Sequence, residues 1–185
     1  LLGRLGTELS HFQAIILQDY NKGVLTPEVI RSILDACKNA KIPVGVDPKR
    51  ENFWAYTGVA LFKPNLRELE TALARRLPDE AALLEAAPEV AARLEAKYLL
   101  VTRGEKGMML FADNQGEFIP TQTKRVHDVS GAGDTVIATI MAALAAGANV
   151  HEAATLANHA ASVVIAEVGA VPVDPVKLRR ACMGR

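Results

Sequence analysis

A glycine-rich loop directly before a long apolar segment carries the strongest chemical signal in the sequence. The loop reads Asp128-Val129-Ser130-Gly131-Ala132-Gly133-Asp134, and the apolar segment after it spans residues 135–148. If that segment is a helix, the small residues 131–133 stand at its start, where backbone N–H groups lack intrahelical acceptors and the helix dipole favours an anion. The same dipole should keep the Asp134 carboxylate ionised and able to accept a proton from an attacking hydroxyl. The loop therefore predicts a phosphate cradle beside a general base.

The same loop also has a purely structural interpretation. A glycine-rich turn commonly joins a strand to a helix, and Asp134 would then only help to cap that helix. A short glycine motif is weakly diagnostic by itself, so the choice depends on its structural context.

Short apolar runs alternate with helical segments along the chain and predict the framework for this loop. Strands are predicted at residues 14–17, 43–46, 59–62, 98–101 and 108–111. Helices are predicted at residues 26–41, 66–77, 79–96, 131–146 and 152–168. This alternation is typical of an α/β fold whose mostly parallel sheet has helices on both faces. We predict one domain over residues 1–185.

Polar residues follow several of the predicted strands. Asp19, Asp47, Asn65 and Thr102 stand at or just beyond strand ends. Ligands of open α/β sheets bind at the carboxyl ends of strands, so these side chains are candidates for a site.

The composition favours a small-molecule partner. Half of the residues are hydrophobic, and 21 basic residues balance 21 acidic ones, so neither nucleic acid nor an anionic membrane is an expected partner. The apolar segment 135–148 is shorter than the about 20 residues of a membrane-spanning helix. Cys37 and Cys182 lack CxxC spacing and predict neither a disulfide framework nor a zinc site. We expect a cytoplasmic protein.

In combination, these segments resemble the PfkB, or ribokinase-like, family of carbohydrate kinases. The family signature D-x-x-G-A-G-D matches residues 128–134. The other matching segments, in family order, are Gln18-Asp19-Tyr20-Asn21-Lys22-Gly23, Val46-Asp47-Pro48-Lys49, Lys63-Pro64-Asn65-Leu66-Arg67-Glu68, Val101-Thr102-Arg103-Gly104-Glu105-Lys106-Gly107 and Asp134-Thr135-Val136-Ile137-Ala138. Within the family, the chain looks most like the D-glycero-β-D-manno-heptose 7-phosphate kinases.

The resemblance implies a three-layer, ribokinase-like fold and transfer of the ATP γ-phosphoryl group to a sugar hydroxyl. The implied acceptor is the anomeric hydroxyl of a heptose 7-phosphate. Asp134 would be the base, and Gly131, Ala132 and Gly133 would stabilise charge on the transferred group. The implied cofactors are ATP, Mg²⁺ and a monovalent cation near Asp128.

The resemblance assigns a nucleotide-binding role to a second group of residues. Asn65, Leu66, Arg67 and Glu68 form the family's N-x-x-E element, in which Glu68 orients magnesium through water. Asn followed three residues later by Glu is also a capping box, which needs no ligand. The remaining nucleotide-binding candidates are Thr102, Gly104, Gly107 and Asn158.

Those remaining candidates also have structural alternatives. A hairpin turn requires glycine for its own geometry. A polar residue in an Ala-rich helix can be a buried hydrogen-bonding residue.

At the phosphate end of the substrate, the resemblance points to Asp19, Lys22, Asp47 and Lys49, without individual roles. Asn21 replaces a frequent glycine of the family, and Asn tolerates the left-handed conformation.

Two alternatives to a heptose kinase stay open: another PfkB sugar or nucleoside kinase, and a nucleotide-binding module without catalysis. The family's N-terminal portion, with much of its sugar site and its β-sheet lid, is expected upstream of Leu1. The chain alone is then expected to turn over sugar poorly, and to form homo-oligomers or associate through its truncated face. The sequence leaves open whether a nucleotidyltransferase domain follows Arg185.

Overall fold

The computed structural model of the protein describes Gly3, residues 8–122 and residues 130–184. Within these residues a six-stranded sheet has the strand order β1-β2-β3-β4-β5-β6. The strands are β1 Ile15–Gln18, β2 Val44–Asp47, β3 Leu61–Phe62, β4 Tyr98–Thr102, β5 Met108–Ala112 and β6 Gln115–Ile119. Strands β1 to β4 pair in parallel, whereas β5 and β6 add an antiparallel extension. The predicted mostly parallel α/β sheet is confirmed.

Helices connect and cover these strands. The principal α-helices are α1 Pro27–Ala40, α2 Leu66–Leu73, α3 Glu80–Arg93, α4 Ala132–Ala145, α5 Val150–Val164 and α6 Pro175–Cys182. Short 3₁₀ segments occur at Leu9–His11, Arg50–Ala55 and Gly104–Lys106. No helix in residues 8–122 and 130–184 is long and apolar enough to cross a membrane.

Alternating side chains of the strands bury two separate hydrophobic cores, one on each face of the sheet. Leu99 and Val101 of β4 pack with α1, α2 and α3, whereas Leu100 between them packs with α4 and α5. This period of two places helices on both faces and produces three layers.

Capping side chains fix the start of most helices. Thr26, Asn65, Asp79, Asn149 and Asp174 each accept a backbone N–H at the beginning of α1, α2, α3, α5 and α6. Each such cap contributes about 1 kcal/mol. Helix α4 differs from these five, because its N-cap residue is Gly131, which has no side chain to accept a backbone N–H.

The predicted boundaries differ from the structure in several places. Strand β6 was not predicted, because most of its residues are exposed and it lies at the sheet edge, where no apolar alternation is needed. Helix α6, which has no buried residue, was missed for the same kind of reason. Helix α2 ends early, at Leu73, because Ala74 adopts the left-handed conformation. Helix α5 lies at 150–164 rather than 152–168, since Asn149 caps it.

Strand β1 is the other outer strand of the sheet. Ile16 on this strand is 39% exposed, and Phe12 just before it is 46% exposed. An outer strand with apolar side chains is a feature that favours pairing with another chain segment. Association through this edge stays a prediction.

Candidate active site

An open cavity of about 820 Å³ lies where the carboxyl ends of β1 to β4 face the start of α4. The predicted site residues that line it are Asp47, Lys49, Asn65, Thr102, Gly104, Gly107, Ala132, Gly133, Asp134 and Asn158. The predicted site residues that are not among the lining residues are Asp19, Lys22, Leu66, Arg67, Glu68 and Gly131. The structure therefore brings together the predicted residues 132–134 at the start of α4 and most of those at the strand ends.

The start of α4 presents backbone N–H groups to this cavity. Gly131 has φ 78° and ψ −3°, a left-handed conformation that side chains disfavour, and the chain enters the helix directly after it. The first intrahelical bond runs from Thr135 N to Gly131 O at 2.9 Å. The N–H groups of residues 132–134 therefore precede the helical hydrogen-bond ladder, and the helix dipole adds positive potential there. This geometry suits an anion.

Asp134 lies in the first turn of α4 and makes a contact that the sequence did not predict. The hydroxyl of Tyr20, from the loop after β1, donates to Asp134 Oδ2 at 3.0 Å. This hydrogen bond, together with the charge of the carboxylate, raises the pKa of the Tyr20 phenol above its ordinary value. The sequence did contain a signal for a role of Tyr20, because this tyrosine stands just after a predicted strand and within a segment that matches the family.

A buried ion pair lies beneath the start of α4. Lys63, directly after β3, is 2% exposed, and its Nζ lies 3.0 Å from Asp47 Oδ2. Gln18 Nε2 donates to the same oxygen at 2.7 Å. A Cβ atom on Gly133 would lie 3.4 Å from Lys63 Nζ, so α4 rests closely on this pair. Sequence reasoning gave Lys63 no role, although a lysine after an apolar strand was a usable signal.

Lys49 and Glu68 form a second ion pair near the cavity. Lys49 Nζ lies 2.6 Å from Glu68 Oε1, and Lys49 is partly exposed. Burial acts against the charge of Lys49, but the hydrogen bond to Glu68 and the charges of Asp47, Glu68 and Asp19 outweigh burial and raise its pKa. Lys49 is therefore cationic at physiological pH.

Asn65 and Glu68 form the capping box that their spacing indicated. Glu68 N donates to Asn65 Oδ1 at 2.8 Å, and Asn65 N donates to Glu68 Oε2 at 2.9 Å. Both carboxylate oxygens of Glu68 thus already have a partner. Each oxygen can accept a second bond, so the cap leaves room for a water-mediated contact with a metal ion.

The turn at residues 104–107 forms one wall of the cavity. Gly104 and Gly107 have φ values of 61° and 78°. A Cβ atom on Gly107 would overlap the backbone oxygen of Ile119 on the neighbouring strand β6, so packing within the sheet, together with the positive φ, requires glycine here. Asn158 is 3% exposed, and its Nδ2 donates to Pro120 O at 2.7 Å. The structural alternatives for Gly107 and Asn158 are therefore realised, alongside their position at the cavity.

Asp19 holds a loop together. Its carboxylate is buried and accepts hydrogen bonds from Asn21 N at 2.7 Å, Tyr56 Oη at 2.7 Å and Asn52 Nδ2 at 3.3 Å. Asn21 has φ 54°, the left-handed conformation anticipated for it. Lys22 is exposed in the same loop. The predicted cation site near Asp128 lies outside the described residues.

The family of the chain follows from comparison with known proteins. The model of the pfkB family carbohydrate kinases matches residues 7–177, which is nearly the entire sequence. The chain belongs to the pfkB family. The predicted resemblance is thereby confirmed.

Curated relatives with the same name match over only part of their length. Bifunctional protein HldE of Pelobacter propionicus is 44% identical over 168 residues, which are 90% of this chain and 34% of that protein. Bifunctional protein HldE of Granulibacter bethesdensis is 41% identical over 182 residues, covering 95% of this chain and 38% of that protein. The chain thus spans little more than a third of the length of these pfkB relatives.

Solved structures show the same fold. Phosphofructokinase-2 from Escherichia coli in complex with potassium superposes with a TM-score of 0.86 at 20% identity, covering 100% of this chain and 62% of that chain. Arabidopsis thaliana ribokinase complexed with ribose and ATP gives a TM-score of 0.82 at 21% identity, covering 95% of this chain and 57% of that chain. The ribokinase-like fold predicted for this pfkB chain is therefore confirmed.

Proposed function

We propose that this chain is the nucleotide-binding and catalytic part of an ATP-dependent kinase that phosphorylates a sugar hydroxyl. One observation carries the proposal: the Asp134 carboxylate lies in the first turn of α4, next to backbone N–H groups that precede the helical hydrogen-bond ladder, and residues 132–134 line the cavity. Membership of the pfkB family supports it. Anion binding and proton acceptance at one helix start are the two functions that phosphoryl transfer requires.

Asp134 acts as the general base in this proposal. It accepts the proton of the sugar hydroxyl while the oxygen of that hydroxyl forms a bond to the γ-phosphorus and the bond to the nucleotide's leaving oxygen breaks. The N–H groups of residues 132–134 stabilise the negative charge of the transferred group. The ammonium of Lys63, close beneath Gly133, adds positive potential at the same place.

In this proposal the nucleotide binds on the side of the cavity that Asn65, Thr102, Gly104, Gly107 and Asn158 line. In the described part of the chain, no group of three or more His, Cys, Asp or Glu residues is arranged to hold a metal ion. Glu68, with both oxygens already hydrogen-bonded, fits a contact with magnesium through water. Magnesium on the nucleotide supplies charge neutralisation of the phosphates.

The acceptor proposed here is the anomeric hydroxyl of D-glycero-D-manno-heptose 7-phosphate. The segment resemblance to heptose 7-phosphate kinases and the HldE relatives support this choice. Lys49 and Asp47 line the cavity on the side of β2, and the cationic Lys49 fits a substrate that carries a phosphate. Since the donor and acceptor are both cytoplasmic metabolites in such a reaction, we place the protein in the cytoplasm.

The test measures turnover by protein made from its complete gene, with magnesium-ATP and a panel of sugars, sugar phosphates and nucleosides. We expect the heptose 7-phosphate to give the highest kcat/KM. Preference for another acceptor would identify a different pfkB kinase, and absence of turnover with nucleotide binding intact would favour a non-catalytic module.

Asp134→Asn tests the proposed base directly. Loss of a positioned general base lowers kcat by about 10²- to 10⁴-fold. ATP binding should persist, because backbone N–H groups hold the phosphates. Asp35→Asn, at an exposed position on α1, is the matched control and should leave kcat unchanged. A folded Asp134→Asn protein with near-original kcat would show that Asp134 is not the base.

A further inference from the structure

Tyr20 is exposed, yet it is held in one place. Its side chain is 58% exposed and lines the cavity, and its hydroxyl donates to Asp134 Oδ2 at 3.0 Å. An aromatic ring with this exposure gains little from burial, so hydrophobic packing does not account for its position. Within residues 8–122 and 130–184, the hydrogen bond of its hydroxyl is with the carboxylate proposed as the base.

The loop on both sides of Tyr20 is held by buried and part-buried hydrogen bonds to the Asp19 carboxylate. Directly before it, Asp19 is 2% exposed and accepts from Tyr56 Oη and Asn52 Nδ2. Directly after it, Asn21 adopts φ 54°, and its N–H donates to Asp19 Oδ1 at 2.7 Å. A rigid turn therefore delivers the tyrosine to α4, across 114 residues of sequence.

We propose that Tyr20 is a positioning residue for Asp134: its hydroxyl holds Oδ2 and thereby leaves Oδ1 to accept the proton of the acceptor hydroxyl. This inference rests on the proposed role of Asp134 as base. It also gives Asp19 a function, which is to anchor the loop that carries Tyr20.

The chemistry of the step requires only that Tyr20 donate. The proton of the sugar hydroxyl moves to Asp134 Oδ1, and the proton of the Tyr20 phenol stays on Tyr20. The raised pKa of that phenol keeps it protonated throughout the physiological range. A carboxylate that is already fixed loses less orientational freedom when the acceptor arrives. The effect of the Tyr20 hydrogen bond should therefore appear in kcat.

The kinetic test uses Tyr20→Phe in protein made from the complete gene. We expect kcat to fall about tenfold, which corresponds to the lower end of the range for a hydrogen bond to a charged group, because the contact is exposed. KM for ATP should stay within about twofold, since Tyr20 does not touch the phosphate-binding N–H groups in this mechanism. Tyr98→Phe is the control and should leave kcat unchanged, because Tyr98 lies at the start of β4, whereas the cavity lies at the end of this strand that carries Thr102.

A double-mutant cycle separates positioning from a structural role. In the Asp134→Asn background, Tyr20→Phe should have no further effect on kcat, because the group that it orients is already absent. Equal losses in both backgrounds would overturn the proposal. If Asp134→Asn lowers kcat and Tyr20→Phe does not, the base stands and the role of Tyr20 is refuted. If neither lowers kcat, the proposed base fails and this inference fails with it.

A spectroscopic measurement tests the contact independently of turnover. In protein carrying ¹³C at tyrosine Cζ, the resonance that disappears in Tyr20→Phe reports the Tyr20 phenol. Asp134→Asn should lower the pKa of this phenol towards its ordinary value, because the hydrogen bond to the carboxylate and its negative charge are lost. An unchanged titration would show that the contact does not form and would overturn the proposal.

Discussion

Replacing Lys63 with methionine tests whether the buried ion pair beneath α4 holds the floor of the site. Lys63→Met removes the ammonium and keeps an unbranched side chain of similar length. In the native protein, Lys63 and Asp47 are 2% and 5% exposed, and their charged atoms are 3.0 Å apart. The substitution therefore leaves a buried carboxylate without its principal cation.

The expected loss of stability follows from that geometry. Coulomb attraction at this distance is about 5 kcal/mol at an effective dielectric constant of about 20, and the desolvation of both charges offsets much of it. Removal of one partner of a buried pair typically costs about 3–5 kcal/mol. Gln18 still donates to Asp47 Oδ2 at 2.7 Å, and Lys49 Nζ lies 4.0 Å from Oδ1. Because these contacts remain, we expect the loss of stability at the lower end of this range, about 3 kcal/mol.

Urea unfolding followed by the fluorescence of Trp54 measures this loss. Trp54 packs partly buried against the core beside α1, α2 and α3, so its emission reports this part of the fold. Lys49→Met is the matched control: its pair with Glu68 is partly exposed and should cost no more than about 1 kcal/mol. Asp47→Asn combined with Lys63→Met should lose clearly less than the sum of the single changes. The reasoning is refuted if Lys63→Met destabilises no more than Lys49→Met.

Two further substitutions test the elements around the cavity. Glu68→Gln can keep the capping box with Asn65 but loses the charge pair with Lys49, so the free energy of unfolding should change by less than about 1 kcal/mol. Turnover by the variant should require a higher magnesium concentration. An unchanged magnesium titration would favour a purely structural role for Glu68. Gly107→Ala forces a Cβ atom against the backbone oxygen of Ile119, whereas at Gly58, which also has positive φ, no atom lies within 4 Å. Gly107→Ala should therefore destabilise more than Gly58→Ala by about 1–3 kcal/mol in thermal unfolding, and equal losses would contradict the close approach of the two hairpin strands at Gly107.

Local signals in the sequence were sufficient for the order of β1 to β5 and α1 to α5 and for the glycine-rich start of α4. The Asn65–Glu68 capping box, the Thr26 cap and the left-handed Asn21 all depend on residues within three positions of one another. Such interactions form between near neighbours of the chain, so residue type and spacing are enough to anticipate them.

Local signals did not distinguish residues that share the same pattern. Asp19 and Asp47 both stand at the carboxyl ends of short apolar runs, yet Asp19 is enclosed by Asn21, Asn52 and Tyr56, whereas Asp47 pairs with Lys63 and lines the cavity. The difference arises from the elements packed against each strand end, and sequence periodicity carries no information about those neighbours.

Only the tertiary structure decided which distant residues meet. Tyr20 and Asp134 are 114 positions apart, and Lys63 lies close to Gly133 only because the start of α4 packs near the residue that follows β3. Contacts of this kind depend on the order of the strands in the sheet and on the helix laid over it. Each side chain alone matches ordinary surface or strand-end positions, and its chemistry emerges when packing fixes its partner and its exposure to water.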